Sequence, residues 1–268
     1  MRRVNGYRYF PKARLAIVRV PKAGCTSLTR WADAIETAIA SAQPTRRNGI
    51  PLQRIADAPE GTLRIATLRH PVDRVVSAYA NKILKAPSGE WIFRYLDAPW
   101  FPRLESLKEI RTAFRLFVER LVHDPNFRCS ENPHWRPQCL QVADLGSFDI
   151  VLPTGRLWEL PALIAAQRPD LAWVADHPML RERTADTPLA DFLLESDLVA
   201  SIEGVYADDM ALLRCHRIAA EFRRPVGAQP PADFDVEAEL GRLRSERRAE
   251  YHSIIDRYLD GIHGPADA

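Results

Sequence analysis

Arg19-Val20-Pro21-Lys22-Ala23-Gly24-Cys25-Thr26-Ser27-Leu28 follows the apolar run Leu15-Ala16-Ile17-Val18 and leads into a helical pattern over about residues 26–42. The run reads as a buried strand. A strand, a turn holding Lys, Gly and small hydroxyl residues, and then a helix make the layout of an anion cradle. Backbone N–H groups at a helix start face the ligand, and the helix dipole favours negative charge. Lys22 adds an ammonium, and Thr26 and Ser27 add hydroxyl donors. The order of residues sets two common nucleotide loops aside. A Walker A loop places its Lys after the last Gly, whereas Lys22 precedes Gly24. The G-x-G-x-x-G dinucleotide fingerprint is missing. Taken alone, the stretch is equally compatible with a strand-to-helix turn carrying a surface Lys.

A second stretch repeats the layout. Leu63-Arg64-Ile65-Ala66-Thr67-Leu68 reads as another buried strand and runs into Arg69-His70-Pro71-Val72-Asp73-Arg74-Val75-Val76-Ser77-Ala78-Tyr79. Pro71 suits the first turn of a helix, and Val72, Val75, Val76 and Tyr79 recur at helical spacing. Arg69 then stands at the strand's C-terminal end and Ser77 about two turns into the helix. An Arg fork and a hydroxyl in this order suit one phosphate. Arg74 reads as a surface or ion-pairing residue.

Two further stretches complete a pattern: Asn132-Pro133-His134-Trp135-Arg136-Pro137-Gln138, and Val205-Tyr206-Ala207-Asp208-Asp209-Met210-Ala211-Leu212-Leu213. P-K-x-G-x-[ST]-[ST] resembles the 5′-phosphosulfate loop of sulfotransferases that use 3′-phosphoadenosine 5′-phosphosulfate (PAPS). R-x-P-x-x-R-x-x-S-A-Y resembles the segment with which they hold the 3′-phosphate, with His70 where many members have Asp. N-x-H-W-x-P-Q and Y-x-x-D resemble segments of the carbohydrate sulfotransferase branch. The four stretches keep the family's order and span residues 15 to about 220. The chain is thus similar to a PAPS-dependent carbohydrate sulfotransferase.

That resemblance implies a P-loop-like α/β fold, three layers with a mainly parallel sheet and helices on both faces. It implies an enzyme that moves a sulfuryl group from PAPS to a hydroxyl or amine of a carbohydrate or glycoconjugate, releasing 3′-phosphoadenosine 5′-phosphate (PAP), with no metal. Lys22, Ala23, Gly24, Cys25, Thr26 and Ser27 would hold the 5′ end, with Lys22 also catalytic, and Arg69 and Ser77 the 3′-phosphate. His134 is the candidate base, its neighbour Trp135 either packing under a sugar ring or locking the loop to the core. His177, Glu36, Asp57 and Glu60 are alternatives, and Glu159 matches an acidic position of the family. Two other readings stand beside it: a non-catalytic PAP-binding module on the same scaffold, and a small-molecule kinase, which would need a Walker A order.

Composition narrows the class further. The net charge of +2 over 268 residues gives no footprint for nucleic acid. Only five of the 37 basic residues are Lys (12, 22, 82, 85 and 108), the bias of a GC-rich, bacterial genome. No apolar run reaches membrane-spanning length, and the first ten residues lack the apolar core of a signal peptide, so a cytoplasmic enzyme is expected. Cys25, Cys129, Cys139 and Cys215 show no metal spacing and are expected as thiols.

The remaining pattern places a helix at 105–123, a strand at 148–152, and helices at 157–168, 188–195 and 198–221. Residues 43–62, 86–104 and 176–187 read as loops. A catalytic domain over 1–224, a Pro-rich linker over 225–231 and a helical extension over 232–262 are expected. Tyr251, Ile254, Ile255, Tyr258, Leu259 and Ile262 form a stripe on that extension that would pack on the parent domain or pair two copies of the chain.

Overall fold

The computed structural model describes residues 6–40, 49–85, 95–142, 145–179, 187–218, 222 and 224–262. They fall into two units. The first holds residues 1–74, 129–183 and 206–222; the second holds 75–128, 184–205 and 223–268.

The first unit is built on five strands: Tyr7–Phe10 (β1), Leu15–Val18 (β2), Ile50–Leu52 (β3), Leu63–Leu68 (β4) and Ile150–Pro153 (β5), in the order β3-β1-β2-β4-β5. The half that carries the site is parallel, with Ile17 opposite Ile65 and Ile65 opposite Ile150. β1 joins antiparallel to both β2 and β3. Neither β1 nor β3 stands out in the sequence. β1 has only four residues, and β3 contains Pro51, which is tolerated because β3 is the sheet edge.

Alternation along the strands divides the core in two. Leu15, Ile17, Leu63, Ile65, Ile150 and Leu152 face Leu28, Trp31 and Ile35 of Cys25–Ala40 (α1) and Leu160 and Ile164 of Leu160–Gln167 (α4). On the other face, Val18, Ala66 and Leu68 meet Leu213 of Ala207–Cys215 (α6). Helices therefore cover both faces, which is why β2 reads as an unbroken apolar run. The strand expected over 148–152 starts two residues later, and the helix expected over 157–168 is a 3₁₀ turn, Thr154–Glu159, followed by α4. The helix expected over 198–221 is broken at Tyr206 (φ −109°, ψ 32°) into Ser196–Val205 (α5) and α6.

The second unit is helical. Leu107–His123 (α3) starts at Ser106, whose hydroxyl accepts the Glu109 N–H at 3.1 Å. Its Phe114 and Phe117 pack with Tyr79, and Trp100 and Phe127 lie 5.4 Å apart in the same aromatic core. Trp100 thus pins its segment to the core, while Trp91 lies outside the described residues. The stretch expected as a helix over 188–195 is a 3₁₀ turn, Pro188–Phe192. Val236–Ile262 (α7) buries Leu240, Leu243, Arg247 and Ile254. Arg247 donates to the carbonyls of Pro102 and Ile83 at 2.6 Å each and lies over the Phe101 ring. Of the expected stripe, Ile254 is buried and Ile255 is exposed; the side chains of Tyr258, Leu259 and Ile262 lie outside the described residues. No helix of the described residues is long and apolar enough to cross a membrane.

Pro71–Tyr79 (α2) spans the division between the units, which falls after Arg74. All nine of its residues are buried.

Candidate active site

Because β2, β4 and β5 are parallel, their C-terminal ends share one edge of the sheet, where ligands bind such folds. The loop after β2 tightens at once: the Ala23 N–H donates to the Val20 carbonyl at 3.1 Å. Lys22 (φ +66°) and Gly24 (φ +78°) both adopt the left-handed conformation. The loop's carbonyls then find donors one after another. Pro21 accepts from Arg74 Nε at 3.0 Å, Lys22 from Arg69 Nη1 at 3.2 Å, and Ala23 from the Thr67 hydroxyl at 2.6 Å. Gly24 accepts from the Leu28 N–H at 3.0 Å, the first turn of α1. The amides of Cys25, Thr26 and Ser27 have no acceptor within the helix they open. Ala23 is fully buried, and its N–H is already bonded within the turn.

Gly24 is required for two reasons. Its φ suits glycine, and a Cβ there would lie 2.3 Å from Leu157 Cδ1 and 3.3 Å from Thr154 Cγ2. The turn after β5 thus closes against the loop after β2, and the Thr154 hydroxyl donates to the Leu68 carbonyl at the end of β4. In that turn Trp158 is 70% exposed, and Glu159 is paired with Arg156.

Four side chains, none assigned a site role by the sequence, fasten the motifs together. Arg74 is not a surface residue: it is 0% exposed. Besides Pro21, it reaches the Pro133 carbonyl through Nη2 at 3.1 Å, joining the first and third motifs. Gln138 bonds the backbone of Arg69, and Asp209 accepts the N–H groups of Gln138 and Cys139 at 2.9 and 2.8 Å. The Tyr206 hydroxyl donates to the Trp135 carbonyl at 2.5 Å. The spacing Tyr206-x-x-Asp209 therefore places two groups against one loop. Burial disfavours the charge of Arg74, and the Asp209 carboxylate offsets part of that cost.

The catalytic candidates separate under this geometry. His134 is half-buried, and its Nδ1 lies 2.6 Å from Asn132 Oδ1. Trp135 is 0% exposed and so belongs to the core; it is not a platform for a sugar. Glu36 is buried and accepts the N–H groups of Lys12 and Ala13, so it is a structural carboxylate. Asp57 caps a turn through the Arg54 N–H and side chain. The His177 carbonyl accepts from Trp31 Nε1 and its ring packs edge-on against Trp173. Glu60 is exposed. Ser77 is buried in α2 and falls in the second unit. His70 is buried beside Phe222, and its Nδ1 accepts the Val72 N–H at 3.4 Å, the capping bond an Asp would make. The four cysteines are free thiols.

Comparison with known proteins finds no match among curated proteins or solved structures. A family model described as the sulfotransferase family matches residues 5–145, more than half of the chain. The matched span holds the Lys22 loop, the Arg69 segment and the His134 loop, and the Tyr206–Asp209 segment beyond it is bonded to that same loop. On that pattern the chain belongs to the sulfotransferase family, whose members transfer sulfuryl groups.

Proposed function

We propose that the chain transfers a sulfuryl group from PAPS to a hydroxyl or amine of a carbohydrate or glycoconjugate and releases PAP. The observation that carries this reading is the loop between β2 and α1. Its carbonyls are drawn onto Arg74, Arg69 and Thr67, while the first-turn amides of α1 lack helical acceptors. Such a cradle, too tight at Gly24 for a Cβ, suits the anionic oxygens of a phosphosulfate.

In this reading the amides of Gly24, Cys25, Thr26 and Ser27 hold the 5′ end, and Arg69 and Ser77 hold the 3′-phosphate. Lys22 balances the charge that develops on the leaving oxygen. His134 takes the proton of the acceptor as its oxygen or nitrogen bonds to sulfur and the sulfur–oxygen bond to PAP breaks. The strand–loop–helix around Lys22 is read as a P-loop-like core. Trp158, exposed on the turn that packs against Gly24, offers a stacking surface to a sugar ring.

Incubating the protein with PAPS and a panel of glycans, and detecting the added SO₃ by mass spectrometry, tests the reading. PAP binding together with a sulfated product supports it. PAP binding without turnover of PAPS would make the chain a binding module, and absence of both would sink it.

A further inference from the structure

Asn132 carries an inference that rests on the reading of His134 as the base. Asn132 is buried, and its Oδ1 lies 2.9 Å from the backbone nitrogen of His134 and 2.6 Å from the ring Nδ1. A backbone N–H can only donate, so the amide atom facing it is the oxygen. That oxygen has no proton to give, so the short contact with the ring requires Nδ1 to carry one. A neutral imidazole protonated at Nδ1 keeps its lone pair on Nε2. We propose that Asn132 is a positioning residue that locks His134 in the Nδ1–H tautomer and so makes Nε2 the atom that receives the acceptor's proton.

The surrounding backbone supports the lock. The Pro133 carbonyl is held by Arg74, the Asn132 carbonyl by the Arg136 N–H at 3.2 Å, and the Trp135 carbonyl by Tyr206. Main-chain bonds on both sides of His134 fix where its ring begins, which leaves mainly the ring's rotation to be set. Asn132 sets it, because turning the ring over would put a C–H against Oδ1 in place of Nδ1–H. The spacing N-x-H encodes the arrangement: an Asn side chain reaches the N–H two residues on.

Nitrogen-15 NMR of the full chain labelled at histidine tests the lock, with the His134 signals assigned by their loss in His134→Gln. The expected wild-type spectrum has the proton on Nδ1 and the lone pair on Nε2. Asn132→Ala should shift neutral His134 toward the Nε2–H form. It should also lower kcat about 10- to 100-fold, the usual cost of losing a partner that orients a working group, with PAP affinity little changed. Asn132→Asp keeps an acceptor and should restore both the tautomer and most of the turnover. A wild-type His134 protonated at Nε2, or an unchanged kcat in folded Asn132→Ala, overturns the proposal. Should Asn132→Ala not fold, the wild-type tautomer and Asn132→Asp decide. The tautomer is read without turnover. A PAP-binding chain that transfers no sulfuryl group would instead overturn the assignment of His134 as base.

Discussion

Gln138 holds the backbone of Arg69 on both sides: its Oε1 accepts the Arg69 N–H at 2.9 Å, and its Nε2 donates to the Arg69 carbonyl at 2.8 Å. A side chain from the third motif thus continues β4 as a strand neighbour would. Gln138→Ala should remove both bonds and leave two backbone groups unpaired, at about 2–4 kcal/mol. Denaturant unfolding, with PAP titration alongside, checks this. A loss below about 0.5 kcal/mol would mean that water replaces the clasp.

Lys22 separates stability from function by the sign of its two effects. At φ +66° a side chain is strained, so Lys22→Gly should leave stability unchanged or raise it by up to about 1 kcal/mol. Lys22→Ala retains the strain. Both should lose turnover far more than PAP affinity, since in the proposed reaction the ammonium acts where charge develops. Comparing melting temperatures and single-turnover rates of the two variants settles it, and turnover within a few-fold of wild type would make Lys22 a peripheral contact.

Arg74 should not tolerate Lys. A single ammonium cannot span the Pro21 and Pro133 carbonyls as the guanidinium fork does. Arg74→Lys should cost roughly 2–4 kcal/mol and weaken PAP binding, although the proposed PAP contacts do not include this side chain. Unfolding and calorimetric titration read both effects. Unchanged PAP affinity in the folded variant would show that the clamp does not shape the cradle.

Burial, reinforced by the Asp209 carboxylate, pushes the Cys139 thiol up to about 12. The fold therefore favours the neutral thiol. Its contribution is complete below the ordinary thiol pKa and is lost as pH rises toward about 12, because the unfolded chain ionises first. Stability should thus fall more steeply above about pH 9 in the wild type than in Cys139→Ser. Alkylation of Cys139 near pH 9 should be slow until the protein unfolds. Rapid labelling of the native protein would contradict this.

Trp158→Ala should leave PAP affinity intact and stability within about 0.5 kcal/mol, as for an exposed residue. It should raise KM for a glycan acceptor several-fold. If KM for every accepted glycan stays the same, Trp158 is not part of the acceptor surface.

Much of this arrangement is written in local periodicity, and some is not. β2, β4 and the helices after them follow from apolar runs and punctuation by Pro21, Gly24 and Pro71. The candidate residues Lys22, Gly24, Arg69 and His134 stand in the loops where spacing put them. Arg74 was hidden because an Arg on a helix is seldom buried and the valine pattern suggested a solvent face. The signal that marks it, burial of the whole of α2, exists only in three dimensions. Gln138 and Asp209 were hidden because their partners are backbone atoms 69 to 71 residues away. Trp135 shows the converse, a motif residue that serves the core.

The clamps formed by Arg74, Gln138, Asp209 and Tyr206 share one property: each grips main-chain atoms of the loops it holds. A main-chain grip is indifferent to the side chain at the gripped position. Positions such as 21, 69 and 135 are held by their carbonyls or amides whatever residues they bear. The frame can therefore persist while the groups it displays are exchanged. Over evolutionary time such a scaffold can change acceptor by substitution in its loops, without rebuilding the fastenings that keep them in register.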